Sequence, residues 1–211
     1  MYQLVYFPIR GRAEHIRLFF EDLKIPYESK VITFEEWGKY KPEHSGTKEL
    51  PFGQLPVLRD DQLYLSQSGA IARHLARKHD KYGKTEEEKA LNDMLYDMTV
   101  DIHSIYLKHI YDPNRKDKMD TFVQEAKGKL ELVEKFVQRR TKSQYLVCDE
   151  PTLADYYMYE VLDILAREVK TILESYPKLQ AIHAQMKSRP NIAAYLKSER
   201  RFDKPVPVSD S

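Results

Sequence analysis

The stretch Tyr6-Phe-Pro-Ile-Arg-Gly-Arg12 sets a phenol at the end of a β-favouring run, with guanidinium groups around one glycine just before a helical pattern begins. A hydroxyl that donates a hydrogen bond favours the charged form of an acidic acceptor, and a helix N-terminus adds positive potential, so the stretch suits an anion. Three further places carry compatible chemistry. Trp37 and Lys41, four residues apart, offer an indole N–H and an ammonium to a carboxylate, with Lys48 competing for the lysine role. In Gly53-Gln54-Leu55-Pro56 an extended residue can pair its backbone N–H and C=O with a bound peptide, as one strand adds to another. Gln67 and Ser68 open a helix, where unpaired N–H groups and a hydroxyl make a carboxylate site; Ser66 or Ser68 as a simple helix cap is the compatible alternative. With 15 tyrosines in the chain, core packing is the ordinary role of any one of them, and Tyr2 is read that way. Arg10 and Arg17 are read as structural or solvent-facing, and Trp37 as a ligand residue or a half-buried anchor.

These groups need a scaffold, and the apolar pattern supplies one. Tyr2, Leu4 and Tyr6 alternate with Val5 and Phe7, as in a strand buried on both faces. Pro8 ends the strand and Gly11 permits a turn. Ala13, Ile16, Phe19, Phe20 and Leu23 then recur at helical spacing. A second strand is expected in residues 25–34, followed by an irregular loop. Two more strands, in 55–60 and 62–67, are joined by a hairpin at Asp60-Asp61, and a helix follows from Ser68. Beyond Asp80 every segment reads as helical. Thr85 with Glu88 and Thr152 with Asp155 make capping boxes, and helices are expected to Tyr111, over 119–140, and after Pro177 and Pro190. The division is a thioredoxin-like α/β domain over residues 1–80 and an all-helical domain over 85–211.

Composition narrows the field. The chain has 34 Lys and Arg against 33 Asp and Glu, a net charge of +1, so nothing pulls it generally toward nucleic acid or anionic lipid. One cysteine, Cys148, excludes an intramolecular disulfide framework and fits a reducing compartment. No apolar run reaches the roughly 18 residues of a membrane span, and the N-terminus lacks a signal-peptide core, so a cytoplasmic protein is expected. The seven histidines lack ligand spacing with a supporting Cys or carboxylate frame, and no metal site is expected. No phosphate-binding glycine loop or nucleophile elbow is present.

Taken together, the Tyr6 to Arg12 stretch, Phe52-Gly-Gln-Leu-Pro56, the helix from Ser68 and Leu153-Ala-Asp-Tyr-Tyr in the helical part resemble the cytosolic glutathione transferases over nearly the whole chain. The opening stretch and the first long helix are most like the pi class, whereas residues 33–42 and Phe52 to Leu58 are equally like the sigma class. The resemblance implies a homodimer that conjugates the thiolate of reduced glutathione to hydrophobic electrophiles in xenobiotic detoxification. Tyr6 would donate to the sulfur, with Arg12 as electrostatic support. Trp37, Lys41, Gln54, Leu55, Pro56 (after a cis bond), Gln67 and Ser68 would hold the tripeptide. Asp101, or Asp97 one turn earlier, would reach the ligand amine of a partner subunit, and Phe52 would insert into that partner. Phe7, Ile9, Leu107, Tyr111 and Val206 would wall the electrophile. A glutathione-dependent isomerase such as a prostaglandin D synthase, and a non-catalytic ligand-binding or structural relative, are the alternatives on the same scaffold.

Overall fold

In the computed structural model, which describes residues 1–140 and 143–207, the alternation of residues 2–6 becomes the parallel and antiparallel centre of a small sheet. Strand β1 (Tyr2–Tyr6) pairs in parallel with β2 (Tyr27–Val31) and antiparallel with β3 (Val57–Asp60), and β3 pairs antiparallel with β4 (Leu63–Ser66), giving the order β2-β1-β3-β4. The β3–β4 hairpin turns where expected, with Asp61 at a φ of 53°. Val5 faces Val57 in register, which brings Tyr6 and Pro56 to the same end of the sheet.

A 3-10 turn (Gly11–Ala13) leads from β1 into helix α1 (Glu14–Asp22), which is buried along its whole length. Helix α3 (Ser68–Lys78) follows β4 and packs on α1 and β3. Helix α1 also packs against α8 (Pro190–Leu196), and the described residues form two compact units: residues 1–79 with 190–207, and residues 80–189. The division expected from the sequence kept the segment after Pro190 with the helical part. Polar partners explain its place in the first unit. Buried Glu14 accepts hydrogen bonds from Arg17 at 3.1 Å and from the Tyr195 hydroxyl at 3.1 Å, and Asn191 donates to the Asp22 carbonyl at 2.7 Å. A carboxylate at zero exposure is stable only with such partners.

The segment expected as an irregular loop contains a helix, α2 (Phe34–His44). Its capping box is complete: the Thr33 hydroxyl accepts from the Glu36 N–H at 3.1 Å and the Glu36 carboxylate accepts from the Thr33 N–H at 2.8 Å. No residue of α2 is buried, and Pro42 lies inside it, so neither an apolar stripe nor unbroken propensity marks it. Aromatic contacts anchor it instead. Phe7 stacks on Phe34 at 4.9 Å and meets the edge of Trp37 at 5.2 Å between ring centres.

The described regular elements of the second unit are all helices: α4 (Glu86–Ile110), α5 (Met119–Arg140), α6 (Leu153–Glu168) and α7 (Pro177–Ser188). Helix α6 packs on α4 and α7, and α5 packs on the same two neighbours. The start of α6 is fixed by Asp155, whose carboxylate accepts from the Leu146 N–H (2.8 Å), the Thr152 N–H (2.8 Å) and the Thr152 hydroxyl (2.9 Å). Asn92 on α4 adds a tie across the unit by accepting from the Ala154 N–H at 2.9 Å.

Candidate functional site

Tyr6 ends β1 against the turn that starts at Gly11. Its hydroxyl accepts the Arg12 N–H at 3.0 Å, one of the early N–H groups that a helical start leaves without an internal partner. A phenol hydroxyl that accepts one hydrogen bond also has a proton that it can donate. The turn can come this close because residue 11 has no side chain. A Cβ there would lie 2.5 Å from the Tyr6 hydroxyl oxygen, and the glycine φ of +42° is in the left-handed region. Gly11→Ala is therefore expected to displace the phenol and to cost about 1–2 kcal/mol of stability. A variant as stable as wild type by thermal denaturation would show that the turn tolerates a side chain without moving Tyr6.

A cleft of about 470 Å³ lies at this end of the sheet, lined by Phe7, Arg12, Trp37, Lys41, Gly53, Gln54, Leu55, Pro56, Gln67 and Ser68. All but Gly53 are residues that the sequence singles out. Tyr6 is not itself in the lining; it touches it at Arg12, and the residue is 7% exposed. The lining comes from separate elements. Trp37 and Lys41 share one face of α2, with the ammonium 5.8 Å from the indole ring centre. Lys48, the competing lysine, lies outside the lining, 5.5 Å from the Tyr64 ring. Gln54, Leu55 and Pro56 precede β3, and the Leu55–Pro56 bond is cis. Gly53, with a φ of 62°, opens the Gly53–Pro56 stretch, in which the sequence assigns ligand roles only to the three residues after it; a Cβ there would approach the Ser45 hydroxyl to 3.0 Å.

The start of α3 corrects another expectation. Neither Ser66 nor Ser68 caps the helix: the N-cap position is Gln67, at φ 70° and ψ 114°, and it makes no side-chain cap bond. Ser66 Oγ is buried without a hydrogen-bond partner among the described residues. The first-turn N–H groups of α3 thus lack a capping side chain at the edge of the cleft, while Gln67 Nε2 donates to Gln54 Oε1 at 3.2 Å and ties the helix start to the strip before β3. Uncapped helix N–H groups, the Arg12 guanidinium and the Lys41 ammonium give the cleft a positive cast suited to an anionic ligand.

Other expected residues lie elsewhere. Ile9 and Val206 are both 6% exposed, buried within the first unit. Leu107 is half-buried on α4, and Tyr111 is exposed at the end of that helix. Asp101 is exposed on α4 and accepts from Lys129 Nζ of its own chain at 3.0 Å. Phe52 is 67% exposed. Arg10 and Arg17 are buried rather than solvent-facing, and Arg17 donates to the Ile9 carbonyl at 2.8 Å. Tyr2 packs against Phe20 at 5.2 Å and its hydroxyl also pairs with His79 Nε2 at 2.9 Å. Among the described residues no helix is long and apolar enough to cross a membrane.

Comparison with known proteins identifies the family. Residues 2–77 match the family model of the glutathione S-transferase N-terminal domain, and residues 100–199 that of the glutathione S-transferase C-terminal domain. The chain is 35% identical over 206 residues to a glutathione S-transferase P of Caenorhabditis elegans, covering 97% of this chain and 96% of the relative. It is 35% identical over 209 residues to glutathione S-transferase 2 of Onchocerca volvulus, covering 99% and 97%. Among solved structures, the Pi-class enzyme of Onchocerca volvulus superposes with a TM-score of 0.85 at 34% identity, covering 92% of this chain and 91% of the other. A monomeric glutathione S-transferase of the hookworm Necator americanus superposes with a TM-score of 0.86 at 31% identity, covering 96% and 98%.

Proposed function

The chain belongs to the glutathione S-transferase family, and from that premise we propose that its cleft holds reduced glutathione with the sulfur at the Tyr6 hydroxyl, ionises it there, and adds it to hydrophobic electrophiles in detoxification. The carrying observation is the Tyr6 hydroxyl, held by the Arg12 N–H at 3.0 Å where that residue enters the cleft lining. The other lining groups divide the tripeptide. Trp37 and Lys41 take the glycyl carboxylate, Gln54, Leu55 and Pro56 the cysteinyl backbone, and Gln67 and Ser68 the remaining carboxylate at the start of α3. Lys41 is preferred to Lys48 because only Lys41 is in the lining. Phe7, also in the lining and with its ring 5.5 Å from that of Tyr6, is an apolar contact offered to an electrophile.

A free thiol with a pKa near 8.5 is only a few per cent thiolate at neutral pH, so activation requires a lowered pKa. A drop of two units takes about 2.7 kcal/mol, within reach of a charge-assisted hydrogen bond added to a helix field. Titrating the ultraviolet absorbance of the bound thiolate is expected to give a midpoint about two units below the free thiol. An unshifted midpoint would reduce the cleft to a peptide-binding site.

Assembly as a homodimer is part of the same proposal, with Phe52 as the inserted aromatic and Asp101 directed to the partner's ligand. Phe52 is exposed as an inserted side chain must be, and Asp101 would exchange its Lys129 pairing for the new contact. In sedimentation equilibrium Phe52→Ser should shift the chain from dimer toward monomer. A monomeric wild type, the state of the hookworm relative, would remove the dimer and leave the cleft chemistry intact.

A further inference from the structure

The turn that meets Tyr6 is held from the far end of the sequence. The Arg10 N–H donates to the Lys204 carbonyl and the Gly11 N–H to the Pro205 carbonyl, each at 2.9 Å. These two N–H groups immediately precede that of Arg12, the one the Tyr6 hydroxyl accepts. A second layer runs through side chains. The guanidinium carbon of Arg17 lies 4.6 Å from the Phe202 ring centre and 5.7 Å from that of Tyr6. Arg17 is 1% exposed and its Nη1 also donates to the Ile9 carbonyl and to Glu14, so it joins both rings to the backbone of the turn. Pro205 and Val206 are buried beside this layer.

We propose that the segment Phe202–Val206 is a clamp for thiol activation, with Phe202 and Arg17 as positioning residues that act through Tyr6. The inference rests on the reading of Tyr6 as the activating phenol. A hydrogen-bond donor stabilises an anion most when its place is set before the charge develops, because no reorganisation is then needed. The clamp supplies that placement twice. Two backbone hydrogen bonds fix the turn whose next N–H holds the phenolic oxygen, and Arg17, pressed by Phe202, fixes the ring from beneath by cation–π attraction. The buried position of Val206, expected on the electrophile wall, serves this clamp.

The test is Phe202→Ala in the full-length chain, made in the wild-type and Tyr6→Phe backgrounds and assayed with glutathione and 1-chloro-2,4-dinitrobenzene. In the wild-type background kcat should fall about tenfold, with KM for glutathione within about twofold and the bound thiol titrating closer to its free value. In the Tyr6→Phe background the same change should cost nothing further, since the group it positions is gone. Phe202→Tyr, which keeps the ring, should restore kcat, and Phe202→Leu, which fills the space without a π face, should not. Amide exchange gives a readout independent of turnover: the Arg10 and Gly11 N–H groups should exchange faster in Phe202→Ala. An equal loss in both backgrounds, or an unmoved thiol titration, overturns the clamp. Full activity in the Tyr6→Phe single variant overturns the role of Tyr6 and the clamp with it, and that result is read before any tail variant is made.

Discussion

Tyr6→Phe should lower kcat about 10- to 100-fold at about pH 6.5, the range that loss of one hydrogen bond to a charged acceptor commands. The change removes one oxygen and leaves the ring packed against Phe7 and over Arg17, so the cleft lining is retained. KM for glutathione should therefore move little, because the residues proposed to hold the tripeptide's carboxylates and backbone are untouched. The deficit should shrink as pH rises toward that of the free thiol, where glutathione ionises unaided. Steady-state kinetics across pH would check both parts. A variant as active as wild type at low pH would assign sulfur activation to another group, with Arg12 and the α3 N-terminus the remaining sources of positive potential.

Asp155→Ala should lower stability by about 3–4 kcal/mol, a thermal shift on the order of 10 °C for a chain of this size. The carboxylate is fully buried and accepts three hydrogen bonds, two of them from backbone N–H groups that alanine would leave without a partner at the start of α6. Most of α6 is core, so the loss is felt across the second unit. Burial pushes the Asp155 carboxyl up to about 6 against the lowering by its three donors. The folded chain then takes up a proton here at a higher pH than the unfolded chain, whose carboxyl titrates near 3.9. The stabilisation from this uptake is complete below about pH 4 and is lost as pH rises through 6. The gap between wild type and Asp155→Ala should accordingly be wider at pH 5 than at pH 8. Equal gaps by thermal denaturation at the two pH values would show that the carboxyl stays ionised throughout.

Local pattern carried much of this protein. Alternation in residues 2–6 gave β1, helical spacing after Ala13 gave α1, and the Thr85 and Thr152 boxes marked α4 and α6 at their observed starts. Helix α2 escaped because it buries nothing, so the apolar period that betrays other helices is missing, and Pro42 argues against helix where only the Thr33–Glu36 box argues for it. That box is readable in the sequence and was the overlooked signal. The cleft lining was legible through motif resemblance, since no single residue among Trp37, Lys41 or Gln54 announces a ligand by type alone. The left-handed N-cap at Gln67 was not legible, because serines flanking a helix start suggest capping on statistical grounds. The return of residues 190–207 to the first unit depends on partners such as Glu14 with Tyr195, 181 positions apart, which no local window can see.

That return bears on how the chain is made. Synthesis runs from the N-terminus, so the segment that completes the surroundings of Glu14 and Arg17 leaves the ribosome only after the whole of the second unit, residues 80–189. Until then the nascent first unit carries a buried ion pair without all of its neighbours and an α1 surface without α8. The helices of the second unit, whose contacts are closer in sequence, can consolidate earlier. A chain cut before residue 190 would thus keep the helical unit whole and leave the first unit without the segment that encloses Glu14 and Arg17.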